Sequence, residues 1–208
     1  WYNLGVKRVI LSRELSLEEI QEIHERVPGM ELEAFVHGSI CIAYSGRCLL
    51  SNYFNKRDAN QGKCTNSCRW EFNIKEETGT ETEEYKPLEG QYAIEEVERE
   101  GEMLPVDEDE HGTYIMNSKD LRAVEYLKPL HDAGVMSFKI EGRSKSIYYL
   151  SMVTRAYRKA IKDLEEGRSF DPKLLEEINK TANRGFTSAF LISASNRDTE
   201  RFESPQEK

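Results

Sequence analysis

Four cysteines, Cys41, Cys48, Cys64 and Cys68, stand as C-x6-C-x15-C-x3-C within 28 residues of a 208-residue chain that holds no others. Thiols are grouped in this way when one ion or cluster must gather several soft ligands. An iron-sulfur cluster of the 4Fe-4S type fits the uneven spacing, since a larger cluster spreads its ligands over several ångströms. Zinc is the alternative, although the paired C-x2-C of common ribbons is absent, and disulfides or unligated thiols complete the options.

Other patterns that carry chemistry fail on inspection. His24-Glu25 is followed by Arg26, Val27 and Pro28, so the second histidine of a zinc-protease helix is missing. Gly62-Lys63-Cys64 lacks the earlier glycine and the following Ser or Thr of a phosphate loop, and there is no G-x-S-x-G elbow. What remains are polar residues grouped where strands should end: Ser12-Arg13-Glu14, His37-Gly38-Ser39 and Glu141-Gly142-Arg143. Glu14, His37 and Glu141 are candidates for moving protons. Arg13, Lys139 and Arg143 are candidates for holding an anionic substrate, Arg143 above all because a guanidinium grips a carboxylate with two parallel hydrogen bonds. The competing readings are a histidine satisfied by a backbone carbonyl and a structural Lys139–Glu141 ion pair.

The elements that must position these groups follow from periodicity. Val6 to Ser12 reads as a short buried strand, and Ser16 with Glu19 forms a capping box ahead of Leu17, Ile20, Ile23 and Val27 at helical spacing. Glu31 to His37 alternates Leu32, Ala34 and Val36 with Glu33, Phe35 and His37. Asn117 and Ser118 are expected to cap a helix through Leu121, Val124, Leu127 and Leu130 to Gly134. Val135 to Ile140 reads as a strand that turns Met136, Phe138 and Ile140 toward the helices, and 144–166 as a long helix burying Ile147, Leu150, Val153, Tyr157, Ile161 and Leu164. Asp171-Pro172 starts another helix. Strands alternating with helices argue for a parallel sheet. Charges on Glu31, Glu33, Lys139 and Glu141 suit a lumen, so the expected class is α/β, part of a (β/α) barrel with an acidic-rich hairpin or small β insertion. The expected organisation is 1–75 barrel units with the cysteines, 76–116 the insertion, 117–192 further barrel units and helices, and 193–208 a flexible tail.

Charge is uneven along the chain. The formal net charge is −9, yet 76–112 holds 15 acids against Lys86 and Arg99, a local −13 that leaves about +4 elsewhere. The window 37–75 carries six bases against Asp58 and Glu71. Arg57, Lys63 and Arg69 in it are candidate phosphate contacts, and Tyr53, Phe54 and Trp70 are either base-stacking residues or core. No run approaches the roughly 20 apolar residues of a membrane span and no signal segment opens the chain, so the expectation is a cytoplasmic protein without a membrane partner and with possible homo-oligomerisation.

Several segments together carry a family resemblance. Glu33-Ala34-Phe35-Val36-His37-Gly38-Ser39-Ile40-Cys41 and Tyr44-Ser45-Gly46-Arg47-Cys48-Leu49-Leu50-Ser51 resemble the signature of the collagenase-like peptidase family, peptidase family U32. Ser12-Arg13-Glu14-Leu15-Ser16, Asn60 to Arg69, Met116 to Leu121 and Phe138 to Arg143 are similar to further segments of that family. The resemblance implies a (β/α) barrel, and in several bacterial members a four-cysteine iron-sulfur cluster serving hydroxylation of RNA or of a quinone precursor. The run Cys64-Thr65-Asn66-Ser67-Cys68-Arg69-Trp70 is most similar to the branch that hydroxylates the wobble uridine of transfer RNA at C5 with prephenate, a small dicarboxylate metabolite. The alternatives are proteolysis, carried only by the family name, or a non-catalytic fragment.

Overall fold

The computed structural model describes residues 1–69, 75–77, 85–87, 92–95, 103–109, 112–114, 118–143 and 145–192, with backbone alone for 69 and for the strands between 75 and 114. The chain divides into two compact units, Trp1–Cys41 with Ser118–Pro205, and Ile42–Asn117 with the last three residues.

The first unit is built on β1 (Arg8–Ile10), α1 (Leu17–Arg26) and β2 (Glu31–Ser39). Ser16 caps α1: its hydroxyl accepts from the Glu19 amide at 3.2 Å, and the Glu19 carboxylate accepts from the Ser16 amide at 2.8 Å. The box was legible because it needs only two residues three apart. β1 runs parallel to the first third of β2. It is an exposed edge rather than a buried strand, with Ile10 53% accessible.

The second unit holds α2 (Leu50–Asn55) and the acidic segment. That segment forms a two-stranded antiparallel pair, β3 (Lys75–Glu77) with β4 (Tyr85–Pro87), and a three-stranded antiparallel sheet of β5 (Tyr92–Glu95), β6 (Met103–Asp109) and β7 (Gly112–Tyr114).

The chain then re-enters the first unit as β8 (Asp120–Arg122), which pairs antiparallel with the end of β2. A helix was expected here. Burial explains the difference: Asp120, Leu121 and Ala123 are all buried, and both strand edges are engaged, by β2 and by β10 (Phe186–Thr187). Tertiary pairing overrides a helical apolar period over so short a stretch. Only the second half of the expected helix forms, as a 3-10 turn and α3 (Leu127–Asp132). β9 (Val135–Ile140), α4 (Ile147–Glu165) and α5 (Lys173–Asn179) follow.

Among the described residues the sheet is open and mixed, in the order β1-β2-β8-β10 with β9 also paired, in parallel, to β2, so the architecture is α/β without a closed barrel. Leu32, Ala34, Val36 and Val135 are buried with Ile20, Leu130, Val153, Leu174 and Ile178 from the helices. Burying each such side chain contributes about 1.5–3 kcal/mol. Two expected core residues are outside. Met136 is 68% exposed because the β2–β9 register slips between Leu32/Val135 and Glu33/Ser137, which leaves Met136 unpaired in a bulge. Ile147 is 85% exposed, while Val153 and Tyr157 are buried as expected and Tyr149, Ala156 and Ala160 complete the buried stripe of α4.

Two of the strand-end segments, His37-Gly38-Ser39 and Glu141-Gly142-Arg143, meet at Gly38. Its φ of +108° lies in the left-handed region, and a Cβ there would run into the backbone carbonyl oxygen of Glu141, whose amide donates to the His37 carbonyl at 2.8 Å. Glycine is required on both counts.

Candidate functional site

On one side of β2 the polar residues assemble around Glu33 and Phe35. Lys139 Nζ is 3.1 Å from Glu33 Oε1, the Ser137 hydroxyl donates to Glu33 Oε2 at 2.9 Å, and Arg8 lies 3.6 Å from the same oxygen. The Lys139 hydrogen bond, then that of Ser137, holds the Glu33 carboxyl below its ordinary pKa, with Arg8 adding to the effect. Lys139 therefore pairs with Glu33 across the strands, a partner sequence spacing did not single out. The Arg13 guanidinium sits 3.9 Å from the Phe35 ring centre, and Lys139 Nζ is 5.2 Å from the same centre. Arg13 and Lys139, expected to bind substrate, thus share one aromatic platform. Glu14 is half-buried one residue beyond Arg13.

Glu141 is half-buried and Arg143 exposed, and the Glu141 carboxylate accepts from the Arg143 amide at 3.1 Å. That bond turns the chain after β9 and orients Glu141.

His37 lies deeper, 1% exposed among Tyr149, Tyr157 and Phe186, with ring centres 5.3–5.8 Å away. The Tyr157 hydroxyl donates its proton to the Val36 carbonyl at 2.6 Å and accepts from the Ala123 amide at 3.1 Å. Its 3.2 Å contact with His37 Nδ1 must then be a donation by the imidazole, which places the single ring proton on Nδ1. The partner is a tyrosine hydroxyl, not the backbone carbonyl considered from sequence. Burial pushes the His37 pKa down to about 4; Lys145 and Arg122 act in the same direction, and Asp120 opposes them.

This predicts a pH effect. An unfolded histidine takes up a proton near pH 6.5 and the folded one only near 4, so His37 supports the fold fully above 6.5 and loses that support as pH falls toward 4, by roughly 3 kcal/mol in all. Urea denaturation from pH 7.5 to 4 should show this slope in the wild type and a flatter one in His37→Gln; superimposable profiles would refute it.

A second buried group escaped sequence reasoning. Asp120 is fully buried, and Lys145 Nζ, with its side chain 19% exposed, reaches it at 3.0 Å while lying 4.8 Å from the Tyr149 ring centre. Neither sits at a strand's C-terminal end, so the barrel argument pointed away from both.

In the second unit, a hydrogen-bonded loop positions Cys64. Ser51 of α2 accepts from Thr65 N at 3.0 Å and Thr65 Oγ1 at 3.1 Å, and directs its own proton toward Cys64 Sγ at 3.9 Å. The Asn66 amide donates to the same sulfur at 3.3 Å, and Asn55 reaches Thr65 at 3.0 Å. Cys48 is clamped by Asn60, whose side chain accepts from the Cys48 amide at 3.0 Å and donates to its carbonyl at 3.1 Å. Cys41 ends the first unit, just after Ile40, whose carbonyl accepts from Ser118 at 2.6 Å. None of the four cysteines is in a disulfide. The Cys64 thiol also faces Asn66 Oδ1 at 3.6 Å, and four cysteines in one segment are the donor type of a soft-metal site. Among the described residues no three His, Cys, Asp or Glu side chains are gathered closely enough to hold a metal ion.

Tyr53, 83% exposed, and Phe54, 44% exposed, stand edge to face on α2 with ring centres 5.2 Å apart; Arg57 and Lys63 are exposed nearby in sequence. Core packing is thereby excluded for Tyr53. The Arg69 side chain, Trp70 and the expected tail 193–208 lie outside the described residues.

The chain belongs to peptidase family U32, which it matches over residues 1–201. It is 50% identical to tRNA hydroxylation protein P of Escherichia coli K12 over 98% of this chain and 49% of that protein. It is 30% identical to the 23S rRNA 5-hydroxycytidine C2501 synthase of the same organism, over 98% of this chain and 28% of that protein. It is also 30% identical to a collagenase of Porphyromonas gingivalis W83, over 92% of this chain and 44% of that protein. The chain thus spans about half or less of the length of these curated relatives. No solved structure matches it. Among the described residues no helix is long and apolar enough to cross a membrane.

Proposed function

We propose that this chain is part of an enzyme that hydroxylates the wobble uridine of transfer RNA at C5, with an iron-sulfur cluster and a small dicarboxylate, prephenate, as the oxygen-donating co-substrate. The observation that carries the reading is the 50% identity to a tRNA hydroxylation protein across nearly the whole chain. Proteolysis is the weaker alternative. The collagenase relative is 30% identical, and His37 is buried against tyrosines and phenylalanine, with no serine or cysteine among its hydrogen-bond partners in the described residues.

Cys41, Cys48, Cys64 and Cys68 would hold the cluster, which supplies one-electron chemistry when bound. Ser51 and the Asn66 amide, both directed at Cys64 Sγ, hold that side chain in place. Tyr53 and Phe54 offer exposed rings for unstacked bases, while Arg57 and Lys63, with Arg69, neutralise phosphates. Arg143 takes a carboxylate of the co-substrate, with Arg13 and Lys139 adding positive charge. Glu14 and Glu141 are the carboxylates that move protons. His37, sealed from solvent, positions the strand end. The parallel β1-β2-β9 arrangement is read as one sector of a (β/α) barrel.

The test is mass spectrometry of bulk transfer RNA from a deletion strain complemented with the full-length gene. Wild type should restore 5-hydroxyuridine derivatives. Arg143→Lys, which keeps the charge but loses the planar fork, should lower them at least tenfold with an unchanged melting temperature. Unchanged nucleoside profiles on deletion would overturn the proposed activity.

A further inference from the structure

Within the first unit, Glu33 and Phe35 alternate with the buried Leu32, Ala34 and Val36 along β2 and are paired in register with Ser137 and Lys139 of β9. Three cations approach these two side chains, and they differ in what they already hold. Arg8 is bonded to Glu31 at 2.8 Å and lies 3.6 Å from Glu33, and Lys139 pairs with Glu33 at 3.1 Å. Arg13, half-buried, makes no hydrogen bond and no ion pair among the described residues. Its guanidinium carbon instead lies 3.9 Å from the Phe35 ring centre. The backbone brings it there: the Leu11 amide donates to the Glu33 carbonyl at 2.8 Å, which carries the chain along β2 past Ile10 so that Arg13, two residues on, reaches Phe35.

A phenyl ring holds a guanidinium through its electron-rich face and consumes none of its N–H donors. Arg13 is therefore located without being neutralised. A cation fixed in this way selects an anionic oxygen, and its planar fork suits a carboxylate. Lys139 Nζ, 5.2 Å from the same ring centre, adds to the positive field, but Glu33 already supplies its counter-charge. The ring also lowers the cost of binding. A long side chain loses rotamer freedom when it grips a ligand, and one already laid against a ring has given up part of that freedom beforehand.

We propose that Phe35 is a positioning residue, which holds Arg13 as the contact for one carboxylate of the dicarboxylate co-substrate. The inference rests on the proposed co-substrate and names the residue that sets its affinity. The full-length protein, purified anaerobically, is titrated by calorimetry with prephenate and assayed for transfer-RNA hydroxylation. Phe35→Leu keeps the apolar bulk and removes the ring; it should raise the Kd and KM for prephenate about fivefold, with kcat, the KM for transfer RNA and the melting temperature nearly unchanged. Phe35→Tyr restores the ring and should bring both constants back to within about twofold of wild type. Arg13→Lys keeps the charge without the fork, should weaken prephenate at least tenfold, and serves in place of Phe35→Leu if that variant does not fold. Prephenate affinity that ignores Phe35→Leu, a loss that Phe35→Tyr does not rescue, or a fall in kcat and melting temperature with KM intact would overturn the proposal. So would a rise confined to the KM for transfer RNA, which would give Arg13 to an RNA phosphate. Wild type that hydroxylates without prephenate would remove the co-substrate reading and this inference with it, whereas prephenate dependence with an insensitive Phe35→Leu would remove this inference alone.

Discussion

Replacing any one of Cys41, Cys48, Cys64 or Cys68 by alanine in the full-length protein is expected to remove the iron and the hydroxylation activity together. In the proposed four-iron cluster each thiolate anchors one iron, so losing any one ligand destabilises the whole cluster. Anaerobically purified wild type should be brown, with about four irons per chain, and each variant should fall to roughly one or fewer. Ser51→Ala offers a graded control, since it removes one donor from the Cys64 sulfur and two acceptor contacts from Thr65 while keeping every ligand. Such outer partners typically change metal affinity 10- to 100-fold, so partial iron loss is expected there. Colourless wild-type protein with stoichiometric zinc, or variants that retain iron, would overturn the assignment.

The largest effect on stability is expected at Lys145. Asp120 is fully buried and Lys145 Nζ reaches it at 3.0 Å, so Lys145→Met removes this counter-charge from a carboxylate inside the protein. Breaking a buried pair from one side costs about 3–5 kcal/mol, much of a small domain's total stability. Replacing both partners avoids that penalty, so Asp120→Asn combined with Lys145→Met should recover most of the loss. Urea denaturation of the two single variants and the double would measure the coupling. Additive single effects would show that the pair is not what holds this corner.

The units of shortest range were legible in the residues alone. The Ser16/Glu19 box, the alternation of Leu32, Ala34 and Val36, the strand Val135–Ile140 and the β character of the acidic segment each depend on neighbours a few positions apart. The grouping of the four cysteines and the family followed from the same local patterns. Partners brought in from far along the chain could not be read that way. Asp120–Arg122 became a strand because β2 and β10 flank it, Met136 left the core because of a register slip, and Lys139 chose Glu33 rather than Glu141 because β9 lies beside β2. His37 is the clearest case: its type suggested proton transfer at neutral pH, while Tyr157, 120 residues away, settles which nitrogen holds the proton and burial takes its pKa to about 4. Solvation and long-range pairing set protonation and strand choice, and both arise only when distant segments pack together.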